Sequence, residues 1–261
     1  MSLQKTEAVV LKSRRQGETS KILVLYTRAF GKMSLVAKGA RSARSRFGGT
    51  LEPLNHISLL FYYKETRDLQ ILSQAEILAT FPGIRRDLDK TSIGLAICEL
   101  VLRLEVAEEG NPLLFRLLLH TLRGIEGCRR DPVNFLRYFQ VRLFDLKGFR
   151  PELSTCLRCG GPAQENVRFD IVRGGVVCGN CGKQGVSGIP LSLEALHALR
   201  TCQQTASAQE IDGLLPSPVA QQQVDHFLDA FLKYHIEGFR DLNALRFYQR
   251  IHDQSKEEPR N

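Results

Sequence analysis

The chain has 261 residues, 43% of them hydrophobic and 25% charged, a globular balance that excludes wholesale disorder and suffices for a core without disulfide staples. Its apolar runs are too short to span a bilayer, and the start lacks the apolar stretch of a secretory signal, so a cytoplasmic protein with no membrane partner is expected. The net charge of +8 is focused: residues 1–50 carry eleven basic side chains against two acidic ones, so that segment is +9 and the other 211 residues sum to −1. A focused positive field attracts polyanions, and nucleic acids are the commonest of these.

Residues 6–80 read as strands. Thr6–Leu11, Ile22–Tyr26, Lys32–Ala37, Ile57–Tyr63 and Leu69–Ile77 are short apolar or alternating runs separated by glycine and charge. Five such runs predict a small β-barrel or sandwich. Between the third and fourth, residues 38–49 (KGARSARSRFGG) predict a mobile basic loop.

After Phe81-Pro82-Gly83 the period changes. Ile93, Ala96, Ile97, Leu100, Val101 and Leu104 fall on one helical face. Asn111-Pro112 and Asp131-Pro132 each supply a cap and a first-turn proline for a further helix. The first carries Leu114, Leu117, Leu118, Leu122 and Ile125, the second Leu136, Phe139, Leu143 and Leu146, and Gly148 ends it. Ser217-Pro218 opens a helix with Val224, Phe227, Leu228 and Phe231. These stripes predict core. The acidic pairs Asp87/Asp89 and Glu108/Glu109 flank helix ends, where caps and the helix dipole account for them.

One segment interrupts the helices. Cys156-Leu157-Arg158-Cys159 and Cys178-Gly179-Asn180-Cys181 are two Cys-x-x-Cys knuckles, each followed by glycine, with a hairpin-like Arg173-Gly174-Gly175-Val176-Val177 between them. This spacing brings four thiolates to the corners of a tetrahedron, the geometry of one structural zinc ion. No histidine falls between Cys156 and Cys181, so the site is closed and structural rather than catalytic. A disulfide pair is the weaker reading for a reducing cytosol, and a redox dithiol needs only one knuckle. Cys98, Cys128 and Cys202 are isolated.

No phosphate-binding glycine loop, zinc-protease motif or nucleophile elbow is present, and the six histidines (His56, His120, His197, His226, His235 and His252) are scattered. A binding protein without catalytic residues is expected. Three other classes make distinct demands. A zinc-ribbon transcription or RNA-associated factor needs base-edge readout, a nuclease needs a carboxylate cluster, and a scaffold for acidic protein needs no oligonucleotide binding.

Several stretches together resemble the bacterial RecO family of DNA repair proteins. They are Ala8–Leu11, Gly17–Leu23, Thr27, Gly31-Lys32, Ala37–Arg41, Gly148–Leu153, Cys156-x-x-Cys159-Gly160 and Gly174–Cys178. The resemblance implies an α+β chain. An N-terminal OB-fold β-barrel (1–80) would precede a mostly helical C-terminal domain (81–250) with an inserted four-cysteine zinc module (153–189) and a flexible tail (251–261). It implies a recombination mediator that binds single- and double-stranded DNA and anneals complementary strands, including strands coated by single-strand-binding protein (SSB). With RecR, and with RecF, such a protein loads RecA. A cytoplasmic, nucleoid-associated location follows.

An OB-fold binds single strands with a basic groove and stacking aromatics. The DNA-binding candidates are Lys12, Arg14, Arg15 and Lys21 on the first strands, with Lys38, Arg41, Arg44 and Arg46 on the loop. Phe47, Tyr26 and Phe30 are the aromatic candidates, with buried packing the stronger expectation for the last two. A receptor for the acidic, apolar-tipped SSB C-terminal tail needs a basic rim around an apolar pocket. Arg116, Arg123, Arg129, Arg130, Arg137 and Arg142 offer such charge, or simply an exposed helical face.

Overall fold

The computed structural model describes residues 1–105, 110–164, 166–183 and 187–257; the Glu108/Glu109 pair lies outside them. The chain forms two compact units, Met1–Gly127 with Asp241–Asn261, and Cys128–Arg240. The strands are β1 (Ser2–Gln16), β2 (Ser20–Thr27), β3 (Gly31–Ala37), β4 (His56–Tyr63), β5 (Leu69–Ala79), β6 (Val167–Asp170), β7 (Gly175–Val177) and β8 (Ile189–Leu191). The helices are α1 (Pro82–Arg85), α2 (Leu88–Leu104), α3 (Pro112–Gly127), α4 (Val133–Leu146), α5 (Gly179–Gly182), α6 (Leu193–Gln204), α7 (Ala208–Asp212), α8 (Pro218–His235) and α9 (Asn243–Glu257). The chain is thus α+β, with five strands first and helices after.

In the first unit the strands close a barrel in the order β1-β2-β3-β5-β4. Only β3 and β5 are parallel, through Ser34–Val36 against Leu69–Ile71. β1 is long because its first half pairs with β4 and its second half with β2. Its polar ends, Ser2, Gln4 and Lys12–Gln16, carry no apolar signal, so the sequence showed only its centre. A bulge between Val10 and Lys12 shifts the register with β2, just past Val9, the last residue paired with β4. Ala8, Val10, Leu23, Leu25, Leu35, Ile57, Leu59, Phe61 and Leu72 fill the interior.

Residues 38–49, expected as a mobile loop, form turns anchored on the barrel, and the anchoring continues to residue 55. Ala40, Phe47 and Leu51 are buried in the barrel core, with Phe47 only 2% exposed. The backbone of Val10 exchanges hydrogen bonds with Asn55 O and Leu54 N at 2.9 Å each, and Asn55 Nδ2 donates to Gly49 O and Thr50 O. One end of the barrel therefore has a plug, and the apolar residues among the arginines form it. The same burial removes Phe47 from the stacking candidates; its ring instead carries the Arg46 guanidinium at 5.1 Å.

The outer barrel surface is apolar too, since Val9 and Tyr26 are fully buried. Helices of the same unit cover it. The Tyr26 hydroxyl accepts from Asn111 N at 3.4 Å, the His56 ring meets Phe115 at 6.0 Å, and Lys32 Nζ donates to Leu102 O at 3.0 Å. So residues 82–127, on the far side of the barrel's end near residue 80, belong to the barrel's unit. Asp87 caps α2 by accepting from Asp89 N and Lys90 N, and Asn111 Oδ1 accepts from Leu113 N and Leu114 N at the start of α3. α9 is held through Glu99, which accepts from Asn243 Nδ2 at 2.8 Å and Ala244 N at 3.2 Å. It continues through residues 251–257, the stretch expected as a tail.

The second unit packs α4, α6 and α8 around an aromatic core. Phe169 lies 4.7 Å from Phe227, and Phe144 lies 4.8 Å from Phe231. β7-β6-β8 form a three-stranded sheet whose Phe169 and Val176 are fully buried. Ser192 and Ser217 cap α6 and α8. Arg137, 4% exposed, is held bidentately by Asp225 at 2.7 and 2.9 Å.

The plug sets the first expected outcome. Phe47→Ala should destabilise the first unit by about 3–5 kcal/mol, as truncation of a core phenylalanine does. Urea denaturation checks it; an unchanged midpoint would mean the segment does not hold the barrel shut.

Candidate nucleic-acid interface and metal centre

Seven of the eight cationic candidates are exposed: Lys12, Arg14 and Arg15 on the last part of β1, and Lys38, Arg41, Arg44 and Arg46 on the segment that carries the plug. Lys12, Arg14 and Arg15 stand on the last part of β1, where Arg14 pairs with Ile22 and Arg15 with Lys21. Gly17, at φ 57, makes the turn into β2. Arg41 clamps that turn, its N donating to Thr19 O at 2.8 Å and its Nη1 to Gly17 O and Glu18 O at 3.0 and 2.9 Å. Carbonyl partners orient the guanidinium without cancelling its charge.

Lys21 differs. Its Nζ lies 2.7 Å from Glu52 and its side chain is only 19% exposed, so its charge is neutralised inside the patch. Sequence reasoning missed Glu52 because it lies 31 positions away, outside any local pattern. Among the aromatic candidates, Tyr26 is fully buried and Phe30 half-buried.

Of the six helical-region arginines, Arg137 and Arg142 serve the fold. Arg142 Nη1 donates to Gln203 O at 2.8 Å, and Arg137 holds Asp225. Arg129 and Arg130 are exposed, while their backbone amides are capped by the Asp212 carboxylate. Arg116 and Arg123 are exposed.

The four cysteines of the two knuckles converge, with all four Sγ atoms within 4.8 Å of one another. Both knuckles close with the same bond, the glycine N–H four residues on donating to the first cysteine's carbonyl: Gly160 to Cys156 and Gly182 to Cys178, each at 2.9 Å. Gly175 lies where an added Cβ would come within 2.8 Å of Leu157, so its bareness lets the first knuckle sit on β7. Cys156 and Cys178 are buried, Cys181 is half-exposed and Cys159 exposed.

The electrostatics of Cys156 and Cys181 diverge. Desolvation would raise the Cys156 thiol, but amide donors from Cys178, Cys159 and Arg158 outweigh it and bring it down to about 6. Hydrogen bonding to the Cys178 and Cys159 sulfurs pushes Cys181 up to about 12. A cation among the sulfurs would remove that competition for protons. The donor set fits zinc: Cys159 and Cys178 Sγ are 3.9 Å apart, and a tetrahedron with Zn–S bonds of about 2.3 Å has edges of about 3.8 Å. Cys98 and Cys202, by contrast, are buried thiols that desolvation pushes up to about 12.

A closed five-stranded barrel with exposed cations, followed by a second unit that carries a four-cysteine cluster, defines a barrel protein with a metal-site module. The family described as Recombination protein O N terminal matches residues 1–81, and Recombination protein O C terminal matches residues 85–243. The DNA repair protein RecO of Thermoanaerobacter sp. is 31% identical over 238 residues, covering 91% of this chain and 94% of that protein. The DNA repair protein RecO of Syntrophus aciditrophicus is 36% identical over 251 residues, 95% of each chain. That of Symbiobacterium thermophilum is 36% identical over 203 residues, 77% of this chain and 79% of that protein. The chain belongs to the RecO family and has a DNA repair role. Among the described residues, no helix is long and apolar enough to cross a membrane.

Proposed function

We propose that the plugged end of the barrel is a phosphate-binding surface for single- and double-stranded DNA, and that the protein uses it to anneal complementary strands. The observation that carries this reading is the exposure of seven cations on the last part of β1 and on the plug segment, while Lys21 is paired with Glu52. Arginines bound to phosphate fix a strand's path without reading its sequence, which leaves base edges free to pair. On this reading the protein is a recombination mediator, not an enzyme. It acts on SSB-coated strands through the SSB C-terminal tail, and with RecR, and RecF upstream, it helps load RecA. Its place is the cytoplasmic nucleoid.

The same reading gives Cys156, Cys159, Cys178 and Cys181 one structural zinc ion. The ion would cross-link two knuckles flanking a sheet whose β6 and β7 have only four and three residues. Its chemistry is thiolate neutralisation and nothing catalytic, since all four positions are filled by protein.

Two outcomes test these assignments. If all seven cations meet phosphate, log affinity for single-stranded DNA falls with log salt at a slope of about −5. Arg14→Ala combined with Arg44→Ala should flatten it to about −3.5; a slope unmoved by the pair would place the contacts elsewhere. For the metal, elemental analysis of the purified protein should find one zinc per chain, and Cys178→Ser should lose it. Zinc affinity should fall on acidification, because protons compete for the thiolates. A zinc-free native protein with unaltered stability would contradict the assignment.

A further inference from the structure

The end of the barrel opposite the plug is covered by Phe30, Met33 and Tyr63, which pack half-buried against the core. It is bounded by the β2–β3 turn, the end of β4, and residues 64–68 leading into β5. A cavity of about 160 Å³ lies there, lined by Phe30, Met33, Tyr63, Arg67 and Gln70 among others. Phe30 and Tyr63 are half-buried, with ring centroids 5.4 Å apart and planes 36° from parallel. Phe61, fully buried behind them, meets both edge-on at 5.4 and 6.3 Å and fixes their positions.

The wall is equally fixed. Gln70, 4% exposed, accepts from Lys64 N and donates to Lys64 O, both at 2.9 Å, and donates also to Arg67 O. Residues 64–67 are thereby held in one conformation by a buried amide. The charges of the lining divide. Lys32 is anchored on Leu102 O, Arg67 is exposed, and Glu65 and Asp68 are exposed carboxylates. Two carboxylates repel a phosphate, yet they accept hydrogen bonds from the ring N–H or amine of an unpaired base, and an aromatic pair with a nearby guanidinium suits a flat π-face.

We propose that this cavity is a stacking subsite for an unpaired nucleobase, with Tyr63 and Phe30 as its aromatic wall and Arg67 at its mouth. The proposal rests on the reading that the barrel binds single-stranded DNA, and adds a second contact of different chemistry at the other end. On this reading phosphates are held at the plugged end and a base at the opposite end. A paired, stacked base cannot enter, so the subsite discriminates single strands from duplex where the arginines do not.

The test compares the full-length protein with its Tyr63→Leu variant, which keeps an apolar side chain and removes the π-face. The probes are labelled oligothymidine, an abasic phosphodiester chain of the same length, and a duplex. The unmodified protein should bind oligothymidine about five- to a hundredfold more tightly than the abasic chain, the range that base–aromatic stacking gives. Tyr63→Leu should lose that advantage while its duplex and abasic affinities and its thermal midpoint stay unchanged. Equal binding of base-bearing and abasic chains by the unmodified protein would overturn the subsite and leave the arginine surface standing. A Tyr63→Leu protein that keeps the full preference for bases would overturn it as well. Failure of the unmodified protein to bind any of the probes would overturn the DNA-binding reading and the subsite together.

Discussion

A five-stranded barrel has two open ends, and water must be kept out of its core at both. Here Phe47, with Ala40 and Leu51, fills one end from within a segment that also carries Lys38, Arg41, Arg44 and Arg46. Burial of these few apolar side chains fixes a stretch that would otherwise be a solvated basic loop. The cations consequently stand at fixed places beside Lys12, Arg14 and Arg15 of β1. Arg41 locks the arrangement by hydrogen-bonding the carbonyls of the β1–β2 turn. The placement of these charges is a product of barrel closure.

The second unit solves a different problem. β6, β7 and β8 are too short to be stable alone. One set of side chains, Phe169 and Val176, is buried, with Phe169 against Phe227 and Phe231. Val177 is buried with Cys156 and Cys178 in a cluster of its own. A metal among the four sulfurs would supply there the cohesion that a core of this size lacks. Arg158 adds to it, its backbone amide meeting Cys156 Sγ and its guanidinium donating to Cys181 O at 3.0 Å. A positive side chain at that point offsets the negative charge of a tetrathiolate.

Much of this was legible in the residues. Strand centres were visible because Ile22–Tyr26 and Ile57–Tyr63 are dense in apolar residues, and the caps at Asp87 and Asn111 form as their side chains dictate. The knuckles were visible because metal spacing is local. What stayed hidden depends on distant partners. The plug was hidden because Phe47 sits among arginines and glycines, and nothing nearby shows that a barrel end needs filling. Lys21 looked like its neighbours until Glu52 folded onto it. The cavity at Phe30 and Tyr63 joins residues from separate strands, and only closure brings them together. α6 was not expected, although Ser192 offers a cap and Ala195, Leu196, Leu199 and Cys202 an apolar face. α9 has a largely polar sequence and is held by Glu99, so no stripe announced it.

On the proposed reading the barrel holds phosphates, leaves bases available, and pairs strands already covered by SSB. The most direct measurement is the rate at which two complementary oligonucleotides, each saturated with SSB, become duplex with and without the protein. Clear acceleration that disappears as salt rises and phosphate contacts weaken is the expected result. Tight binding to bare strands with no acceleration, in the presence of RecR as well as its absence, would contradict it.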